Sequence, residues 1–297
     1  MSETGKHKSG YVAIVGKPNA GKSTLMNQIL GTKLSITTHK AQTTRHQIVG
    51  IHSEDDAQII FLDTPGIITP KYELQKAMMK FVEKAEKDAD LILFLVEARE
   101  NKLPDFTFEE LKKFHKPAIL VINKIDTVNE NVVANLAGEL AEKFPFKKTF
   151  LVSALEGVGV DELLNSLKNL MPAGPPFYPK DELSEHPLRF FAAEFIREQL
   201  YLQYHEEIPY SATVEVIMYE ERPDLDYINA EVIVNRKSQK GMIIGKGGAA
   251  IKKLGTASRN SIEEFVGRKV FLDLHVKVRE KWRENENMVR NLGYGTK

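Results

Sequence analysis

Over the first 170 residues, short apolar runs alternate with amphipathic stretches. The runs are Tyr11–Val15, Ile48–His52, Gln58–Asp63, Leu91–Val96, Ala118–Ile122 and Thr149–Val152. Several are apolar at nearly every position, which is the signature of strands covered on both faces. Between most of them, apolar residues recur at helical spacing: Lys22–Leu30, Leu74–Ala85, Phe106–Phe114, Asn131–Lys143 and Asp161–Leu170. The rhythm predicts an α/β domain, a mostly parallel sheet wrapped by helices. The pattern then breaks at Met171-Pro172-Ala173-Gly174-Pro175-Pro176-Phe177-Tyr178-Pro179, too proline-rich for a helix or a central strand. Residues 172–180 are expected to be a stiff linker between a domain at 1–171 and a smaller one at 181–297. The second part reads as a helix (Leu188–Tyr204) and two alternating strands (Thr213–Tyr219, Tyr227–Asn235). A glycine-rich turn between helical segments follows, then a strand (Lys269–Val278) and a charged helix (Lys281–Leu292). That order makes it an α+β domain.

Composition narrows the chemistry. The 297 residues hold no cysteine, so disulfides, thiolate metal sites and cysteine nucleophiles are excluded. The polar N-terminus fits no signal peptide, and no apolar run reaches membrane-spanning length. Formal charge is zero, but it is unevenly spread. From Asn235 to Lys297 there are 15 Lys+Arg against 6 Asp+Glu, a balance of +9, on a body of −9. A basic end on an acidic body points to a polyanion partner for the C-terminal part.

Gly16-Lys17-Pro18-Asn19-Ala20-Gly21-Lys22-Ser23 matches G-x-x-x-x-G-K-S between a strand and a helix, the context such a phosphate loop needs. Its glycines let backbone N–H groups turn toward phosphate oxygens, and the helix N-terminus adds positive potential. Lys22 reaches the β- and γ-phosphates and the Ser23 hydroxyl ligates Mg²⁺, with Thr24 next to it. The base is chosen by Asn123-Lys124-Ile125-Asp126, at the end of a buried strand. Asp126 can accept from guanine N1–H and the 2-amino group, and adenine offers neither donor. Asn123 can tie the loops together while the Lys124 stem covers the base. Asp63-Thr64-Pro65-Gly66 closes another strand, with Asp63 placed to hold Mg²⁺ and the Gly66 N–H to sense the γ-phosphate. Ser153-Ala154-Leu155 follows the last strand, and the Ala154 N–H can donate to guanine O6. In this order the four motifs predict a GTP site with Lys22 and Gly66 around the reacting phosphate.

In the second domain, Gly245-Lys246-Gly247-Gly248 forms a G-x-x-G loop between helical patterns. A K-homology (KH) domain uses such a loop to clamp about four single-stranded nucleotides. Lys240, Ile244, Lys246, Lys252 and Lys253 are the expected RNA contacts, with the bases in a groove lined by Ser238–Ile244 and the neighbouring strand. The order helix–strand–strand–helix–G-x-x-G–helix–strand fits the type II KH topology.

The first domain resembles translation-factor-class GTPases. By that resemblance Thr44, in Gln42-Thr43-Thr44-Arg45, is the switch threonine that joins Ser23 and Asp63 around Mg²⁺, with Thr43 as the competing position. One position departs: Ras-like enzymes carry a water-orienting glutamine directly after D-x-x-G, and here Ile67 stands there. Slow intrinsic hydrolysis is expected, and Asn19 is where related GTPases with an apolar residue at that position coordinate an activating K⁺. A GTPase domain joined to a KH domain, with Ala41–His46 and Glu231–Lys253 alongside the nucleotide motifs, resembles the Era family of bacterial ribosome-assembly GTPases. The resemblance implies a cytoplasmic monomer, with peripheral membrane association, that binds 16S ribosomal RNA near its 3′ end in the 30S subunit. A signalling GTPase acting on a protein or membrane partner is the alternative. The tail Arg279–Arg290, with Trp282, is expected either to lie near the RNA or to pack on the domain.

Overall fold

In the computed structural model, residues 7–100, 109 and 111–295 are described. Four residues of the expected Phe106–Phe114 helix, 106–108 and 110, lie outside these residues. Contact clustering divides the chain into two units.

The first unit is built on six strands: β1 (Lys8–Gly16), β2 (Ile48–Ser53), β3 (Ala57–Asp63), β4 (Leu91–Glu97), β5 (Ala118–Asn123) and β6 (Thr149–Val152). They lie in the order β2-β3-β1-β4-β5-β6. All neighbours are parallel except β2, which pairs antiparallel with β3. β3 and β5 are buried along their whole length, as runs such as Ile59–Leu62 and Ile119–Ile122 require. The helices are α1 (Lys22–Leu30), α2 (Glu73–Asp88), α3 (Glu130–Lys143) and α4 (Val160–Leu170). α3 starts where Asn129 accepts from the Val132 N–H, an N-cap at 3.1 Å. The parallel order brings the carboxyl ends of β1, β3, β4, β5 and β6 to one edge of the sheet.

The proline-rich stretch does not hang between domains. The Ser9 N–H donates to Pro172 O at 3.0 Å and the Gly174 N–H to His7 O at 2.9 Å. Gln58 then takes over: its Oε1 accepts from the Phe177 and Tyr178 N–H groups and its Nε2 donates to Tyr178 O. Further on, the Ile51 N–H donates to Leu183 O, so residue 183 covers the open edge of β2. The segment belongs to the first unit as far as Glu185, beyond the boundary that proline content alone sets.

The second unit holds α5 (Leu188–Gln203), β7 (Thr213–Glu221), β8 (Asp226–Val234), α6 (Lys237–Ile244), α7 (Ala249–Val266) and β9 (Val270–Val278). β8 is central, antiparallel to β7 and parallel to β9. Ile228, Ala230, Val232 and Val234 alternate inward on β8, and α5 contributes Phe191, Phe195 and Ile196. The unit also takes in residues 36–43 and 70–77.

The expected charged helix over Lys281–Leu292 is not continuous. It is a 3₁₀ turn at Trp282–Glu284, a single α turn at Glu286–Val289 and a wider turn at Arg290–Tyr294. Trp282 is fully buried, and its indole N–H donates to Ser211 O at 2.8 Å. The Tyr294 hydroxyl meets the Thr213 hydroxyl at 2.7 Å. Between the two expectations for the tail, Trp282 takes the packing role: an indole buried to this degree cannot stack on a nucleobase.

Candidate functional site

The phosphate loop connects β1 to α1. Gly21 and Gly66 are the glycines that the close approaches demand. A Cβ at Gly21, whose φ is +95°, would lie 2.1 Å from Asn123 Nδ2. At Gly66 it would lie 2.4 Å from Pro18 N. The Ile67 N–H also donates to Gly16 O at 3.0 Å, so the Asp63–Gly66 turn is laced to the phosphate loop. Ile67 itself is a core residue, 2% exposed, so its side chain cannot face an attacking water. Asn19 adopts φ 65° at the exposed crest of the loop.

Lys22 is buried, and its ammonium donates to Lys17 O at 2.9 Å and Gly16 O at 3.3 Å. Burial lowers its pKa from 10.5 to about 8, against the opposing pull of Asp63. Asp63, also without exposed surface, is pushed up by desolvation. Its Oδ2 accepts from Ser23 at 2.7 Å and from Ser35 at 2.9 Å, while Oδ1 makes no hydrogen bond. The Ser23 hydroxyl lies 2.9 Å from that of Thr44. Three oxygen-bearing side chains therefore converge, one a buried carboxylate with a spare oxygen, and this donor set suits a hard cation such as Mg²⁺. Thr43 points elsewhere: its hydroxyl meets Thr38 at 2.7 Å and donates to Lys40 O. Of the two threonines considered, the structure brings Thr44 to Ser23 and Asp63.

Across the same sheet edge, Asn123 ties three loops. Its Nδ2 donates to Ala20 O at 2.8 Å and its Oδ1 accepts from the Ala154 N–H at 2.9 Å. Donation by Ala154 to guanine O6 thus requires exchanging its bond to Asn123. Lys124 stands at φ 63°, and Asp126 is exposed in the 3₁₀ turn Ile125–Thr127, where its carboxylate is accessible to a base. The Ser153 hydroxyl accepts from the Glu156 N–H and shapes the neighbouring loop. Two acids escaped the motif reading. Glu97, at the end of β4, pairs with Lys124 at 2.8 Å, and Glu100 pairs with Lys17 at 2.6 Å. Carboxylates after a strand carry no motif; only the position of β4 between β1 and β5 would have pointed to them.

The segment before Thr44 belongs to the second unit and is held there by α5. The Thr37 N–H donates to Glu198 at 3.2 Å. The Lys40 ammonium donates to the carbonyls of Tyr201 and Tyr204, the C-terminal pole of α5, where a cation complements the helix dipole. Tyr201 in turn donates its hydroxyl to Gln42 O at 2.9 Å.

The G-x-x-G loop sits between α6 and α7. Gly245, Gly247 and Gly248 all have positive φ, at 72°, 59° and 79°. Lys240, Lys246, Lys252 and Lys253 are exposed, and Ile244 is half-buried. A groove of about 310 Å³ follows, lined by Ile251, Lys252, Gly255, Thr256 and Arg259 of α7 and by Val270–Leu272 and Leu274 of β9. The helix Ser238–Ile244, expected to line the RNA groove, does not line this one. Gly255, with no atom within 4 Å of its missing Cβ, leaves that wall open.

Comparison with known proteins agrees with this geometry. Residues 11–124 match the 50S ribosome-binding GTPase family and residues 207–283 the KH domain family. GTPase Era of Mesorhizobium japonicum is 45% identical, covering 98% of this chain and 95% of that protein. A structure of Era in complex with MgGDPNP and nucleotides 1506–1542 of 16S ribosomal RNA superposes at a TM-score of 0.94. It is 41% identical over 98% of this chain and 100% of its own. Aquifex aeolicus Era, as a variant bound to GDP·AlF4⁻, matches at 0.93 and 41%, over 97% of this chain and 100% of that one.

Two outcomes follow from the nucleotide site. Asp126→Asn should exchange the acceptor for a donor and move preference from GTP to xanthosine triphosphate by at least two orders of magnitude, read by competition binding; unchanged GTP preference contradicts the assignment. Lys22 supplies the second. With no nucleotide bound it loses its proton near pH 8, and a triphosphate raises that value by favouring the ammonium. Nucleotide binding then takes up a proton above pH 8, so affinity falls with rising pH, by up to about tenfold per unit. Titrations between pH 7 and 8.5, where guanine N1–H stays mostly protonated, should show the onset of the fall; a flat profile contradicts it. By 46% identity over 99% of its length to an Oryza sativa relative, and by the bacterial matches above, the chain belongs to the Era family of GTPases.

Proposed function

We propose that this protein is a GTP-driven switch that grips single-stranded 16S ribosomal RNA near its 3′ end during assembly of the 30S subunit. The observation that carries this reading is the pairing, in one chain, of a complete GTP-site edge with an open G-x-x-G loop and a basic-rimmed groove. The RNA in the similar Era complex supports the choice of ligand.

Hydrolysis is attack by water on the γ-phosphorus, breaking its bond to the β–γ bridging oxygen and releasing GDP and phosphate. Mg²⁺, held by Ser23 and Thr44 with Asp63 behind them, supplies charge neutralisation at the phosphates. Lys22 and the loop N–H groups stabilise the charge that develops as the bond breaks. Phosphate also relieves the cost of burying Lys22. No side chain at position 67 orients the water, so turnover is slow alone. K⁺ seated at Asn19 is the proposed accelerator. Equal turnover in Na⁺ and K⁺, or a K⁺ effect that survives Asn19→Ala, contradicts that role.

The switch works through Thr44. When it joins the metal shell, residues 36–43, fastened to α5 by Glu198, Lys40 and Tyr201, are drawn into one arrangement. Nucleotide state thereby biases the unit that holds RNA. The same reading has the protein act as a cytoplasmic monomer whose association with the membrane, where it occurs, is peripheral. Among the described residues no helix is long and apolar enough to cross one.

Gly247→Asp tests the RNA grip. No atom lies within 4 Å of the position of its new Cβ, and aspartate tolerates a φ of 59°. The carboxylate would therefore face the phosphates without disturbing the fold. RNA affinity should fall at least tenfold while GTP affinity stays the same. Unchanged RNA binding by anisotropy contradicts the assignment.

A further inference from the structure

The outer face of the second unit's sheet carries an aromatic pair that the fold does not cover. Phe271 is 54% exposed on the edge strand β9. Its ring stacks on Tyr227 of β8, with centroids 5.7 Å apart and planes within 8°. The guanidinium of Arg222 lies 4.3 Å from the Tyr227 centroid, and Glu220 fixes that arginine at 2.6 Å. A pair needed only to join two strands gains most when both rings are covered. Here half of a phenylalanine remains in water.

Its position relative to the groove gives that exposure a use. Phe271 also lines the groove between α7 and β9. α7 starts at the G-x-x-G loop and runs away from it, and near its far end Glu263 accepts from the Val270 N–H at 2.9 Å. Phe271 therefore stands at the mouth of the groove farthest from the glycines. The two residues before Val270 are basic. Lys269 has 82% of its side chain exposed, and Arg268 is held at 3.1 Å by the buried Asp226. A fixed arginine, an exposed lysine only 4.0 Å from the Glu263 carboxylate, and an exposed ring lie within four consecutive residues. Sequence-tolerant single-strand sites combine these elements: cations for the backbone and a π-face for a base.

We propose that Phe271, backed by Tyr227 and Arg222, is a stacking platform for the nucleobase that follows the four clamped in the groove, with Arg268 and Lys269 receiving its phosphate. This rests on the RNA reading above. It adds a station outside the KH clamp, so a longer strand gains affinity by leaving the groove over the edge of β9.

The test uses the full-length protein and two unstructured RNAs, of four and six nucleotides, with binding followed by anisotropy. Phe271→Ala should weaken the six-nucleotide RNA about tenfold and leave the four-nucleotide RNA within twofold. Phe271→Trp should keep the longer strand's advantage. A base analogue whose fluorescence is quenched by stacking, placed fifth, should brighten on the alanine variant. The proposal is overturned if Phe271→Ala leaves both RNAs unchanged, or weakens both equally. Loss of binding with Gly247→Asp is read separately: if that variant still binds both RNAs, the groove reading itself fails.

Discussion

A fully buried carboxylate and a nearly buried ammonium feel each other's charge at the carboxyl end of the central strands. Asp63 is pushed toward its neutral form and Lys22 is pulled down to about 8. For each group, desolvation outweighs the attraction of the other. A triphosphate with Mg²⁺ resolves both strains, since phosphate takes the lysine and the metal takes the carboxylate side. The surrounding structure serves this pair. Parallel β1 and β3 place them, Gly21 and Gly66 let the loops close, and Ser23 and Ser35 occupy one oxygen of Asp63 while leaving the other free.

The same cluster reaches outward through Thr44. Its hydroxyl meets Ser23, and the residues just before it are fastened to α5 by backbone and side-chain bonds. α5 is also the helix that packs on α7, one wall of the groove proposed to hold RNA. A change at the phosphates therefore has a route of covalent chain and packed helix to the ligand of the second unit, and linkage requires that it run both ways.

Much of this was legible in the sequence where function or burial is written in contiguous residues. Strands such as Ala118–Asn123 read clearly because they are apolar throughout, and the phosphate loop, Asn123–Asp126 and Gly245–Gly248 read clearly because backbone chemistry fixes their spacing. What stayed hidden depends on partners far away in the chain. Gln58 looked like the start of a strand, and only the fold shows it fastening Phe177 and Tyr178, which moves the domain edge to Glu185. Glu97 and Glu100 are ordinary acids until β4 lands beside the phosphate loop. The Lys281–Leu292 tail has a helical charge pattern, but Trp282 and Tyr294 gain more by reaching Ser211 and Thr213 than a continuous helix would offer. The groove between α7 and β9 was not foreseen, because Ile251, Gly255 and Arg259 carry no motif of their own.

The central claim is that the nucleotide state sets the grip on RNA. It is tested most directly by the affinity of one single-stranded RNA, carrying the 3′-end sequence of 16S ribosomal RNA, for the protein saturated with Mg²⁺ and either a non-hydrolysable GTP analogue or GDP. Coupling through Thr44 and α5 predicts a difference of about fivefold or more, matched by an equal factor in nucleotide affinity when RNA is present. The same RNA affinity in both states would contradict the account.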